Sequence, residues 1–232
     1  MKRITPIVLA IIVLTFLMNC SSTQSSTEWS GLTDAKDSLS YAIGVSVAQN
    51  IKAQGIDGLN SAAVTKAIED TYAGAQLIET KDADGIVRTV IMAIRQERND
   101  QTKKKSNDWL IENANKEGVI ALPSGLQYKM LRDGDGASPD GNDIVTVNYE
   151  GRLINGEIFD SSYERGNPMT SSLTQVIHGW TEGVPMIKKG GMAELYIPYD
   201  LGYGGREAPG GDIPAYSTLI FKVELLDFES VE

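Results

Sequence analysis

The 232-residue sequence has one cysteine and one histidine. Cys20, standing alone, excludes an intramolecular disulfide and any multi-cysteine zinc or iron–sulfur site. His178 excludes multi-histidine metal centres and leaves a single imidazole for acid–base work. A basic surplus is also missing: 21 lysines and arginines face 31 aspartates and glutamates, a net charge of −10. Nothing is left over to neutralise a phosphate backbone, so no nucleic-acid partner is expected. Much hydrolytic, redox and metal chemistry is thereby disfavoured. With 41% hydrophobic and 22% charged residues, the chain reads as globular, with enough length for a sizeable core.

The first residues stand apart. Lys2 and Arg3 precede a mainly apolar stretch from Ile4 to Met18, the pattern of a secretory signal and short for a membrane-spanning helix. Cys20 follows directly, in Leu17-Met18-Asn19-Cys20, and the segment resembles a bacterial lipoprotein signal. That resemblance implies cleavage after residue 19, a lipid on Cys20 and anchoring to a membrane of the cell envelope. Ser21 after the cysteine fits outer-membrane sorting, by analogy with other bacterial lipoproteins. Met18 and Asn19 depart from the small residues usual there, and an ordinary signal with an incidental cysteine is the alternative. The Ser/Thr/Gln-rich residues 21–27 suit a flexible tether, taken as 20–33.

Proline and glycine divide the rest. No proline occurs between Pro6 and Pro123, and 16 of the 23 glycines fall in residues 123–232. Residues 20–122 hold eleven basic and fourteen acidic residues, net −3; residues 123–232 hold eight and seventeen, net −9. A proline-free, glycine-poor half before a turn-rich half predicts a helical domain over 34–122, then a β-rich one over 123–232.

In the first half Leu39, Ile43, Val47 and Ile51 recur every four residues, and Gly55 stops the helix. Ser61 is placed to cap a second helix that carries Val64, Ala67, Ile68 and Tyr72 to Gly74. A third is expected from Thr80 to Glu117, about 55 Å long. Its apolar face (Val87, Val90, Ile91, Ile94) ends before residues 95–108, which contain no apolar residue and read as a solvated stalk. Self-association accounts for apolar stripes on so thin a helical core.

In the second half Leu126, Tyr128 and Met130 alternate, as do Val145, Val147 and Tyr149. Asn155-Gly156 is a strong hairpin signal. Met192 to Pro198 and Leu219 to Leu225 read as further strands, with a short helix around Thr181–Ile187. The fold class expected is α+β, an antiparallel sheet curled around one short helix.

Five blocks carry a family resemblance: LPSGLQYKML (122–131), VTVNYEGRLINGEIFDSS (145–162), VIHGWTEGVPMIKKGG (176–191), LYIPYDLGYGG (195–205) and IPAYSTLIFKVELLDF (213–228). In that order they resemble the FKBP-type peptidyl-prolyl cis–trans isomerase domain from end to end. With the helical half in front, the whole resembles the Mip-like (macrophage infectivity potentiator) subgroup. The resemblance implies a dimer through the amino-terminal helices, a long linker helix, and proline-containing non-native polypeptides as substrates. It implies an isomerase that assists folding of exported proteins and needs no nucleophile, metal or cofactor, with a holdase chaperone as the alternative.

The site follows from the same resemblance. Trp180 is the floor, with Tyr149, Phe159, Val176, Ile177 and Phe221 as walls. The Ile177 N–H holds a substrate carbonyl, Tyr203 and Asp160 give polar contacts at the rim, Arg165 orients Asp160, and Ile213 closes over the proline. Met169 and Ser171 stand where many relatives place aromatics, and Ala208 where the best-known members have histidine, which bears on substrate preference. Taken singly, the four aromatics fit a plain hydrophobic core, Asp160-Ser161-Ser162 fits a turn or cap, and Tyr203 fits a loop. His178 is assigned no role.

Overall fold

In the computed structural model, residues 31–231 are described. The signal segment 1–19, Cys20 and the tether up to Ser30 lie outside the described residues. The chain divides after Gln49 into two compact units.

Helix α1 (Ala35–Ala53) follows the four-residue apolar repeat. None of its residues is buried, and Leu39 and Ile43 remain 62% and 55% exposed. Helix α2 (Ser61–Ala73) is capped one residue earlier than expected. The Asn60 side chain, not Ser61, accepts the Ala63 N–H at 3.2 Å, because the cap must lie in extended backbone just outside the helix. Gly74, at φ 67°, ends it in the left-handed turn that favours glycine.

Helix α3 (Thr80–Asn113) stops four residues short of Glu117. Its second half is not a solvated stalk. Arg98, Thr102, Ser106, Leu110 and Asn113 form an inward stripe at helical spacing, with Ser106 and Asn113 fully buried. Leu110 packs on Tyr196 and Ile220, and the rest of the stripe is polar and held by hydrogen bonds and an ion pair. Asn113 Nδ2 donates to Gln127 Oε1 at 3.0 Å, and Gln127 Nε2 donates to the Leu110 carbonyl at 2.9 Å. Trp109 adds an aromatic contact to Tyr196, centroids 5.7 Å apart.

The β-rich part is one antiparallel sheet: β1 (Ile120–Ala121), β2 (Gln127–Arg132), β3 (Ile144–Leu153), β4 (Ile158–Ser161), β5 (Met169–Ser172), β6 (Met192–Ile197) and β7 (Leu219–Glu229). Its order is β1-β2-β6-β7-β3-β4, with β5 also paired to β3. Burial alternates along β3, with Val145, Val147 and Tyr149 inside. The β3–β4 hairpin turns at Asn155-Gly156, where Gly156 takes φ 88°.

A single-turn helix α4 (Ser162–Arg165) follows β4, capped by Ser161. The short helix inside the sheet, α5 (His178–Gly183), begins three residues before Thr181 and gives way to a 3₁₀ turn at Val184–Met186. Pro185 has no N–H to continue an α-helix, so the chain tightens there. Gly179 and Gly183 let α5 lie against β6: a Cβ at either would fall within 3.0 Å of Ile197 or Leu195. The core between sheet and helix is built on Leu126, Val145, Val147, Leu173, Leu195 and Val223, all fully buried.

Candidate active site

The residues facing the open end of this core enclose a cavity of about 540 Å³. Four aromatic rings form its base. Trp180, on α5, meets Tyr149 of β3 and Phe221 of β7 edge-on, each at 5.2 Å between centroids and near 90°. Phe159 of β4 packs edge-to-face on Phe221 at 5.5 Å. Such T-shaped contacts suit the ring quadrupoles and lock the four side chains as a unit. Val176, Ile177, Met169 and Ile213 complete the apolar walls.

One of these side chains, Tyr149, joins Asp160 and Arg165 in a three-membered polar network. Asp160 accepts from the Tyr149 hydroxyl through one oxygen and from Arg165 through the other. Arg165 also donates to the Tyr149 hydroxyl at 2.8 Å and lies over its ring, closing the triangle. Burial, then the bond to Asp160, holds the Tyr149 phenol above its usual range. Its bonds to Tyr149 and Asp160 push the Arg165 guanidinium up as well. At neutral pH the phenol therefore stays a donor and the guanidinium a cation.

Polar groups around the cavity are few. Ile177 precedes α5, and its carbonyl accepts from Trp180 and Thr181. Its own N–H has no partner among the described residues. Trp180 Nε1 is buried and likewise without a partner. The Tyr203 ring lines the rim and is 38% exposed. No group of histidine, cysteine and carboxylate side chains able to hold a metal occurs among the described residues.

The structure thus brings together Tyr149, Phe159, Asp160, Met169, Val176, Ile177, Trp180, Tyr203, Ile213 and Phe221 around one cavity. Arg165 stands behind, touching it only through Asp160 and Tyr149. Ala208 lines the cavity too, whereas Ser171 does not, and His178 is exposed outside it. Gln175, Pro209 and Asp212 also line the cavity and escaped sequence reasoning, since they sit in loops with no periodic pattern. Gly151 escaped it as well: a Cβ there would lie 2.6 Å from Phe159 and 2.7 Å from Phe221. The available signal was a glycine inside an otherwise alternating strand, which marks a close approach.

The chain resembles known proteins over both of its halves. Residues 136–226 match the FKBP-type peptidyl-prolyl cis-trans isomerase family, and residues 36–130 match the domain amino terminal to it. "Outer membrane protein MIP" of Legionella longbeachae is 41% identical over 214 residues, covering 89% of this chain and 91% of that protein. "Peptidyl-prolyl cis-trans isomerase Mip" of Coxiella burnetii is 39% identical over 82% of this chain and 86% of its own length. The crystal structure of FkpA from Escherichia coli superposes with a TM-score of 0.71 at 32% identity, covering 87% of this chain and all of that one. On its two matched domains and on near full-length relatives at about two-fifths identity, the chain belongs to the FKBP-type peptidyl-prolyl cis-trans isomerases.

Proposed function

We propose that this chain catalyses rotation about Xaa-Pro bonds without covalent chemistry, by holding a twisted amide in the aromatic cavity. The barrier, about 18–20 kcal/mol, is the amide resonance lost as the bond turns. The twisted amide is less dipolar than the planar one, so a dry apolar site favours it over water. The observation that carries this reading is the base of four edge-on aromatics with the unpartnered Ile177 N–H beside it. Trp180 takes the proline ring, with Phe159, Phe221, Val176 and Ile213 around it. The Ile177 N–H receives a substrate carbonyl, and Tyr203 offers a second hydroxyl at the rim. Asp160, fixed by Arg165 and Tyr149, faces the turning carbonyl, and Met169 supplies an adaptable wall.

The test is a proline tetrapeptide assay with the full chain. Faster cis-to-trans conversion is expected; a rate equal to the uncatalysed one overturns the reading.

Around this activity we place a dimer, formed by residues 34–122, and a lipid anchor on Cys20 that holds residues 123–232 in the cell envelope. The exposed apolar residues of α1 support self-association, and the match of residues 36–130 to the family's amino-terminal domain agrees with it. Leu17 to Cys20 and the outer-membrane protein among the relatives support the anchor. Light scattering should give twice the chain mass, and mass spectrometry of the membrane fraction should find a diacylglyceryl group on Cys20.

The same exposed helical surface favours a second reading, in which the chain also holds non-native proteins. Suppression of aggregation by a variant with an inactivated cavity would support it; its complete loss would remove it.

A further inference from the structure

One loop supplies much of the cavity's rim, and helix α3 grips the end of that loop. Residues 202–218 connect a 3₁₀ turn at Tyr199–Leu201 to β7, and Tyr203, Ala208, Pro209, Asp212 and Ile213 from this loop line the cavity. Just before β7, Tyr216 takes φ 62°, the only positive φ of a non-glycine residue among those described. That conformation is strained for a side chain this large and persists only where its surroundings impose it.

The surroundings here come from α3. The fully buried Ser106 hydroxyl donates to the Tyr216 carbonyl at 2.8 Å and accepts the Thr218 N–H at 3.0 Å. It therefore spans both sides of Ser217 from a helix more than a hundred residues earlier in the chain. Two further contacts flank this clamp. Lys103 Nζ lies 5.4 Å and 5.7 Å from the ring centres of Tyr216 and Tyr199, within cation–π range, and Arg98 pairs with Glu207 at 2.8 Å.

From Tyr216 the constraint passes into the cavity. Its N–H donates to the Gly204 carbonyl at 2.9 Å, and Gly204 directly follows Tyr203. Its hydroxyl lies against Gly205, where a Cβ would approach it to 2.8 Å. The start of the loop is thus tied to its strained end, and that end is tied to Ser106.

We propose that α3 is a positioning element for the cavity, in which the Ser106 hydroxyl fixes the strained end of loop 202–218 and so sets where Tyr203 and Ile213 stand. Ser106 touches no substrate and acts through Tyr216 and Gly204. The proposal rests on the isomerase reading, and the parent chain's own activity separates the two. An inactive parent overturns that reading, whereas an active parent with an insensitive Ser106 overturns only this one.

The experiment compares Ser106→Ala and Ser106→Thr with the parent in the full chain, using the proline tetrapeptide assay and amide hydrogen exchange. Ser106→Ala leaves one carbonyl and one N–H without a partner, and kcat/KM should fall about 3- to 10-fold. Exchange should quicken across 202–218 while the β3 and β7 amides keep their protection. Ser106→Thr keeps the hydroxyl and should restore both. Unchanged kcat/KM in folded Ser106→Ala overturns the proposal, as does a loss that Ser106→Thr, folded, fails to restore. If either Ser106 variant fails to fold, Lys103→Met decides: a lower kcat/KM with faster exchange at 202–218 supports the positioning role, and parental values overturn it.

Discussion

Gly151 lies so close to Phe221 that a Cβ on it would stand 2.7 Å from the ring's Cε1. Phe159 crowds the same point from the neighbouring strand at 2.6 Å. The two rings make their edge-on contact over a strand position that has no side chain. Gly151→Ala must push one ring or the other out of place. Overpacking of this kind costs about 1–3 kcal/mol. Thermal unfolding should report that loss, and kcat/KM should fall by about tenfold because the displaced rings are the cavity's own base. A variant with parental activity would show that these rings do not shape the reactive site.

Asp160 holds two partners at once, so replacing it tests the network rather than a single bond. In Asp160→Leu the Tyr149 hydroxyl keeps Arg165 but loses its acceptor, and Arg165 loses its counter-charge. If Asp160 faces the turning carbonyl as proposed, its loss removes an interaction made in the transition state, and kcat/KM should fall by about tenfold. Circular dichroism should remain parental, because Asp160 and Arg165 sit at the rim and not in the packed core. A parental rate would remove Asp160 from the mechanism.

These two residues differ in how far the sequence announced them. Asp160 stood inside a block that resembles the family, and its placement needed only that resemblance. Gly151 stood in the same block, yet its role is a distance between two rings on different strands, which no one-dimensional pattern carries. The same division holds for the fold. Alternation along Leu219, Phe221, Val223 and Leu225 marked β7 because one face of it is core. Strand β5, with Met169 followed by Thr170, Ser171 and Ser172, has almost no apolar signal and exists because β3 pairs with it. The inward face of helix α3 is hidden from the sequence for a related reason. A stripe of Arg98, Thr102, Ser106 and Asn113 is polar in any window, and only the three-dimensional partners of these residues reveal it as an inward face.

That inward face gives a stability prediction separable from catalysis. Asn113 is 1% exposed and donates to Gln127, whose own amide is committed to the Leu110 carbonyl. Asn113→Ala leaves a buried acceptor unpaired, a cost of about 1–3 kcal/mol. For a chain of this size that lowers the thermal midpoint by about 2–4 °C per kcal/mol. Unlike Ser106, Asn113 contacts no part of the cavity's loop, so kcat/KM at 10 °C should stay within about twofold of parental. A midpoint equal to the parent's would mean that α3 is not held here.

The acid side of the stability curve should be governed in part by Glu224. The Arg132 guanidinium, at 2.6 Å, holds this carboxyl below the usual glutamate range, with Asn148 and Tyr163 adding to the effect and burial opposing it. A folded-state value below the unfolded one means that the native protein favours the ionised form. The resulting stability is fully present above the unfolded carboxyl's pKa of about 4.3 and is lost as pH falls through the lower folded value. Glu224→Gln removes the charge at every pH, so it should be less stable than the parent at pH 7. The gap should shrink as pH drops below about 4, because the unfolded parent then takes up a proton and the folded parent follows at lower pH. Urea midpoints at pH 7 and pH 3 measure this directly. A gap equally wide at both would show that Glu224 contributes through packing and not through its ion pair with Arg132.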